Sequence, residues 1–344
     1  MRVLVVNNAA PFVRGGAEAL ADALVAQLNA APGVESELLR IPFRWEPSER
    51  LIEEILIHRR LKLWNVDRVI ALKFPAYLTP HPSKVLWLLH QFRQAYDLGD
   101  AGQGLGPDGR DGELRRAIRT ADNQCFAECR GIFVNSPVTR ERLKRYNGFD
   151  AEVLYPPVND EHLFGGGKDE GYIFAGGRVA PGKRQHLLVE AMAQVGGSGR
   201  LIIAGPSESE DYRRLLETRI EALELESRVE LRLGFHDRET IASWVNGARA
   251  CAYLPYDEDS LGYVTMEAFA SGKAVLTATD SGGLLEIVTA DTGYVAAPEP
   301  ASLASGLAML FDYPRRAAEL GRAAQAEWRR RGVNWPATLE RLLS

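Results

Sequence analysis

ACAYLPYDEDSLGYVTMEAFASGKAVLTA, residues 250–278, is the stretch on which the reading of the whole chain turns. An apolar run, Ala250–Leu254, gives way to an acidic loop. A helical segment from about Tyr263 to Ser271 follows, then Gly272, then a second apolar run, Lys273–Ala278. Runs that are apolar throughout, rather than alternating, predict strands buried on both faces, and a helix between two of them predicts a parallel pair. Gly272 suits the left-handed position just past a helix end.

The same unit recurs outward along the chain. Further strands are expected at Gly171–Ala175, Arg200–Ala204 and Arg228–Leu233, and in the first half at Arg2–Val6, Glu37–Ile41, Asp67–Leu72, Lys84–Leu89, Gly131–Val134 and Glu152–Tyr155. Helical patterns lie between them at Ala17–Ala30, Glu113–Glu128, Lys183–Gln194, Asp211–Leu225 and Arg238–Gly247. The expected fold class is α/β, with parallel sheets covered on both faces.

A single core stops growing at roughly 250–300 residues, so 344 residues imply two domains. The expected boundary separates 1–165 from 166–320, between Pro156-Pro157 and Gly165-Gly166-Gly167: prolines favour extended backbone and glycines loosen it. From Pro314 on, the chain reads as two helices with Trp328 and Trp335 as anchors, and residues 321–344 are expected to pack back toward the first domain. Leu98–Gly112, dense in Gly and Asp, reads as a mobile or disordered surface loop.

Hydrophobic content of 46% and charged content of 25% are those of a soluble globular protein. With 41 basic against 46 acidic residues, a net charge of −5 argues against broad binding to nucleic acid. The apolar run at the start is too short for a signal peptide and lacks a cleavage pattern, and no stretch approaches the roughly 20 apolar residues of a membrane span, so a cytoplasmic location is expected. Cys125 and Cys129 share a helical face without a nearby His at ligand spacing. Packing is their expected role, because a closed structural zinc site needs about four ligands.

Glu267 sits in a helix apolar nearly all round (Val264, Met266, Ala268, Phe269, Ala270), where a carboxylate is costly unless satisfied. It is either paired with a protein donor or held ready for ligand hydroxyls. The helix N-terminus at Gly262–Val264 offers amides and a positive dipole end to a phosphate, and Asp259 in the preceding loop can reach a further hydroxyl. A second constellation, YIFAGGRVAPGKRQH at 172–186, runs a strand into Gly176-Gly177 and sets Arg178 and Lys183 either side of Pro181-Gly182. A planar fork and a point charge suit a diphosphate; an ordinary solvated loop is the plain alternative.

His90 ends the apolar run Val85–Leu89, and ligands in open α/β sheets gather at strand carboxyl ends. Arg93, Tyr96 and Asp97 follow it as candidates for acceptor or phosphate, with structural roles as the alternative. The run His58–Trp64 mixes cations with Leu and Trp. It suits either a weak peripheral contact with an anionic membrane or a solvated helix face.

Taken in order, these motifs resemble the donor site of family 4 retaining glycosyltransferases. Asp259 and Glu267 stand at the ends of an E-x7-E-type element; Gly176-Gly177-Arg178, Lys183 and Ser281-Gly282-Gly283 with Glu286 complete it. Gly15-Gly16-Ala17-Glu18 resembles the glycine-rich turn of the acceptor domain. Ile202–Gly205 and Gly234-Phe235-His236 resemble two loops bordering the nucleotide base.

The resemblance implies the GT-B fold, two Rossmann-like domains facing across a cleft. It also implies a UDP- or GDP-sugar donor, a glycan, lipid-linked or small-molecule acceptor, no cofactor and no metal. In the implied roles Glu267 holds the ribose hydroxyls and Asp259 contacts the sugar. Arg178 and Lys183 neutralise the diphosphate, and Leu261, Gly262 and Tyr263 supply nearby amides. Gly15 and Gly16 let the acceptor-domain turn approach the phosphates, and His90 touches the transferred sugar.

Two departures concern the donor sugar: Asp259 is one methylene shorter than the usual Glu, and Leu261 replaces a commonly aromatic residue. The rival readings are a GT-B-like epimerase, for which further catalytic carboxylates are not evident, a sugar phosphorylase, which typically needs a cofactor lysine and a longer chain, a noncatalytic sugar-nucleotide binding protein, and an NAD(P)-dependent oxidoreductase. Against the oxidoreductase, Asn7-Asn8-Ala9-Ala10-Pro11 stands where G-x-G-x-x-G would be, and intact Arg178, Lys183 and Glu267 argue against a noncatalytic protein.

Overall fold

The computed structural model describes all 344 residues. In chain order the elements of the first part are β1 (Arg2–Ala9), α1 (Gly16–Ala30), β2 (Glu35–Pro42), α2 (Leu51–Arg60), β3 (Arg68–Ala71), β4 (Lys84–Leu88), α3 (Asp97–Asp100), α4 (Gly109–Glu128), β5 (Gly131–Val134), α5 (Pro137–Asn147) and β6 (Glu152–Val153). The second part continues with β7 (Tyr172–Gly176), α6 (Gln185–Met192), β8 (Arg200–Gly205), α7 (Glu210–Ala222), β9 (Val229–Leu233), α8 (Arg238–Gly247), β10 (Ala250–Ala252), α9 (Tyr263–Ala270), β11 (Ala274–Ala278), β12 (Gly293–Ala296), α10 (Pro300–Asp312), α11 (Pro314–Arg331) and α12 (Trp335–Leu343). They form two units, residues 1–157 with 334–344, and residues 158–333.

In the first unit six strands pair in the order β2-β1-β3-β4-β5-β6, all parallel. Val3 and Val5 of β1 pack with Leu20, Leu24 and Leu28 of α1 and with Trp335, Leu339 and Leu342 of α12. Arg68 fastens the chain end by donating Nη1 to the carbonyls of Leu342 (3.0 Å) and Ser344 (2.7 Å).

The opposite face of this sheet buries polar groups as well as apolar ones. Asp122 on α4 is fully buried and accepts from the hydroxyls of Tyr77 (2.9 Å) and Tyr96 (2.7 Å). Burial pushes its carboxyl up to about 7, although both tyrosines pull the other way. A carboxyl raised in the folded state stabilises that state most below its unfolded pKa, near 3.9, and loses the contribution as pH rises through about 7. Stability is therefore expected to fall between about pH 4 and 7 by up to ~4 kcal/mol from this group. Asp122→Asn should flatten that part of a urea-denaturation series; a slope unchanged in the variant refutes the assignment.

In the second unit the order is β12-β11-β10-β7-β8-β9, again all parallel. The first strand of the unit, β7, lies beside its fourth, β10. The strand order reverses there, and such a switch point is where open α/β sheets receive their ligands. Its core runs from Ile173 and Ala175 through Leu201, Ile203, Ala250 and Leu276 to the helices at Leu188, Leu216, Leu307 and Leu320.

Three expectations are corrected. The units divide at Pro157–Val158 rather than at 165, because residues 158–165 are bound into the second unit: Asn159 O accepts from Arg238 Nη2 at 2.7 Å and Leu163 O from Asn246 Nδ2 at 2.7 Å. At the other end α11 stays with the second unit, burying Leu320, Ala324 and Trp328, and only 334–344 joins the first; Gly332, at φ +62°, breaks the helix between them. The stretch 98–112 is ordered rather than loose. Leu105 N donates to Gln94 O at 2.9 Å, and Arg115 reaches the carboxylate of Asp100 at 2.5 Å. Helices α2, α5 and α10 and strand β12 were not anticipated. No helix is long and apolar enough to cross a membrane.

Candidate active site

The residues singled out in the second half of the sequence meet at the carboxyl ends of the strands of one sheet. The loop after β7 carries Arg178, exposed, and Lys183, part-buried. Lys183 extends its ammonium to Glu258 in the loop after β10 and lies 5.3 Å from the ring centre of Tyr253. Burial works against the Lys183 charge, but Tyr253 and Glu258 outweigh it and its pKa is raised. Burial likewise pushes the Tyr253 phenol up to about 12. The cation is therefore permanent, and an ammonium held by one carboxylate still has donors to offer a ligand.

Arg184 fixes this loop in place. It sits at φ +53° and forks onto both oxygens of Asp280 at 2.7 and 2.8 Å, while also donating to the carbonyls of Leu254 (2.9 Å) and Pro255 (2.8 Å). One guanidinium thus ties the loops after β7, β10 and β11 together, a bidentate geometry that Lys cannot provide. The loop after β10 is further stitched to Ser281–Gly283: Glu258 N donates to Ser281 O at 3.1 Å and Gly283 N to Glu258 O at 2.7 Å. Asp259 in that loop is buried, only 7% exposed. Glu286, the last acidic residue of the motif set, pairs with Arg331 on α11 at 2.7 Å.

Gly262 opens α9 at φ +74°, and a Cβ there would stand 2.6 Å from Cε1 of Tyr253. Its amide faces Ser260 Oγ at 3.3 Å, Leu261 before it is buried, and Tyr263 begins the helix. The first-turn amides of a helix have no partner within it, so this end carries donors and a positive dipole end. One turn on, Glu267 is 5% exposed and pairs with Arg238 of α8, whose Nη1 lies 2.6 Å from Oε1. Burial raises the Glu267 pKa and Arg238 opposes the rise.

Gly205 ends β8 at φ +137°, and a Cβ on it would overlap the carbonyl oxygen of Gly177 after β7. Gly234, at φ +118°, donates its amide to Gly205 O at 3.0 Å, which sets the ends of β7, β8 and β9 side by side. Phe235 beyond it is 67% exposed, an uncommon setting for a bare aromatic ring.

The candidates of the first unit fare unevenly. His90 lies just past β4, part-buried, with Nδ1 at 2.7 Å from Gln91 O. Gly15 precedes α1 in extended backbone, and Gly16 is its first residue. Arg93 and Asp97 are bound to each other through Nε (2.9 Å) and Nη2 (2.6 Å), and Arg142 adds a third cation contact at 3.4 Å. Tyr96 is corrected: its ring is fully buried and its hydroxyl serves Asp122, so it presents no surface to an acceptor. In the run 58–64, His58 is buried and Arg59 is paired with Glu128 at 2.7 Å. Arg60, Lys62 and Trp64 (84% exposed) are left on the surface.

Sequence reasoning did not single out Arg184, Tyr253, Glu258 or Arg238. The first three lie within or next to the quoted motifs, and a second cation beside Lys183 was a usable signal. Nothing in the sequence connects Arg238 with Glu267, which are 29 residues apart.

Residues 160–327 match the model of the family described as glycosyl transferases group 1. No curated protein sequence matches the chain. Among solved structures, HepE of Anabaena in complex with UDP-glucose aligns over 100% of this chain and 98% of its own, at 19% identity and a TM-score of 0.74. Sucrose-phosphate synthase of Thermosynechococcus elongatus aligns over 99% and 97%, at 18% identity and a TM-score of 0.76. WaaG, a glycosyltransferase involved in lipopolysaccharide biosynthesis, aligns over 99% and 98%, at 14% identity and a TM-score of 0.68. The fold is that of the GT-B glycosyltransferases, and residues 160–327 are similar to the glycosyl transferases group 1 family.

Proposed function

We propose that the chain is a family 4 retaining glycosyltransferase that moves a sugar from a nucleoside diphosphate sugar to an acceptor hydroxyl. One observation carries this reading: a permanent cation (Lys183), a helix N-terminus (α9) and a buried carboxylate (Glu267) converge at the switch point of the second sheet. A diphosphate needs the first two, and a ribose diol needs the third. A uridine nucleotide is favoured as the donor base because HepE holds UDP and UDP-glucose in a related fold.

In the proposed reaction the bond from the anomeric carbon to phosphate breaks through an oxocarbenium-like state, and negative charge grows on the departing diphosphate. Lys183, Arg178 and the α9 amides stabilise that charge in place of a metal, and their preorganisation makes them effective. The acceptor attacks from the face the diphosphate leaves, and the leaving phosphate oxygen takes the acceptor proton, which yields retention. Glu267 and Asp259 orient ribose and sugar. The acceptor is a glycan, a lipid-linked sugar or a small molecule.

The test is a thermal-shift panel of UDP, GDP, ADP, TDP, CMP, NAD and NADP against the wild type, Arg178→Ala and Glu267→Ala. A ligand that binds only the native state raises Tm by mass action. One diphosphate should stabilise the wild type, and each substitution should abolish its shift. Stabilisation by NAD or NADP alone overturns the reading in favour of an oxidoreductase.

A further inference from the structure

Arg238 is a firmly held cation of the second unit, paired directly with Glu267, that the proposed chemistry leaves unused. Its guanidinium is anchored on three sides: Nη2 donates to Asn159 O at 2.7 Å, Nε lies 3.5 Å from the Asp160 carboxylate, and the Phe164 ring sits 5.0 Å from its central carbon. The remaining nitrogen, Nη1, is aimed at one oxygen of Glu267, Oε1. We propose that Arg238 is a positioning residue that holds Glu267 as a charged acceptor for the ribose diol, its 2′-hydroxyl included. The site is thereby committed to ribonucleoside over deoxyribonucleoside diphosphate donors. The inference rests on the assignment of Glu267 to the ribose.

The physical case begins with the helix. Glu267 is buried on α9, and burial there raises its pKa and favours the neutral form, while Arg238 pulls toward the charged one. A protonated carboxyl presents a donor of its own, whereas the two ribose hydroxyls need acceptors. The groups around Glu267 are Arg238 from α8, Asp160 from the segment before β7, Cys251 from β10 and Tyr263 on its own helix. Arg238 is the only cation among them, so the ionised state depends on it. Because Arg238 binds through a single nitrogen, it satisfies one oxygen and leaves the other for a ligand. Asn159, Asp160 and Phe164 keep the guanidinium from following the carboxylate when a nucleotide arrives.

The experiment measures by calorimetry the dissociation constants of UDP and GDP and of their 2′-deoxy counterparts at pH 6, 7 and 8.5, for the wild type, Arg238→Met and Arg238→Lys. The wild type is expected to prefer the ribonucleotide by at least about tenfold, the weight of one hydrogen bond to a charged group, at all three pH values. In Arg238→Met the preference should shrink to near unity at pH 6 and return in part at pH 8.5, as Glu267 regains its charge. Arg238→Lys should keep most of it.

A merely structural arginine would behave differently: Arg238→Met would weaken ribo- and deoxyribonucleotides equally at every pH, and that result overturns the proposal. Should Arg238→Met fail to fold, Arg238→Gln takes its place, since it removes the charge while keeping an amide donor: a 2′ preference lost at pH 6 and partly regained at pH 8.5 supports the proposal, and an equal loss for both ligands at every pH overturns it. Absence of any diphosphate binding to the wild type refutes the donor-site assignment itself. Normal binding with no 2′ preference in the wild type refutes only the inference.

Discussion

Replacing Lys183 with alanine is expected to lower kcat/KM by about 10²–10³-fold, the usual cost of deleting one preorganised group from the stabilisation of a developing anion. The reading is nucleoside diphosphate released from the sugar nucleotide that the wild type turns over, followed alongside diphosphate affinity and Tm. Two effects add in this variant. The diphosphate loses a cation, and Glu258, which Lys183 now holds, is left as an unpaired negative charge beside it. Glu258→Gln separates them, because it removes that negative charge while keeping Lys183; it should cost far less than Lys183→Ala. Lys183→Arg should recover part of the loss, limited by a guanidinium's poor fit in a place shaped by the Tyr253 ring for a point charge. Activity within threefold of the wild type in Lys183→Ala would remove this residue from the site.

Gly205→Ala is expected to destabilise the second unit by about 3 kcal/mol or more, roughly 6–12 °C in Tm for a unit of this size, from backbone strain plus steric overlap. The residue lies at φ +137°, outside the range open to alanine, and its missing Cβ is what lets the carbonyl of Gly177 pass. Gly234→Ala is the internal control. It has φ +118° but open space where a Cβ would go, so it should bear only the conformational part, about 1–2 kcal/mol. Differential scanning calorimetry of the two variants separates strain from overlap; equal losses would show that the contact with Gly177 does not matter. The same substitution displaces the loop that carries Arg178, so donor binding should weaken even at temperatures where the protein is folded.

The α/β class and the parallel pairing of nearly every strand were legible in the sequence, as were the loops that carry the candidate site. These follow from short-range signals: apolar runs of strand length, helical segments between them, glycines at strand ends such as Gly176 and Gly205, and Gly272 just past a helix end. Where those signals are short or diluted the reading failed, as at the four-residue strand Gly293–Ala296 and at α2, whose Ile52, Leu56 and Ile57 face solvent.

The tertiary structure alone decided which charges meet. Lys183 and Glu258 lie 75 residues apart, Arg184 and Asp280 lie 96 apart, and Arg238 reaches Glu267 across 29. No periodicity encodes such pairs, because they are set by which strand ends the sheet order brings together. The helix period could show that Glu267 is buried. Only the packing of α8 against α9 could show what partner keeps it charged.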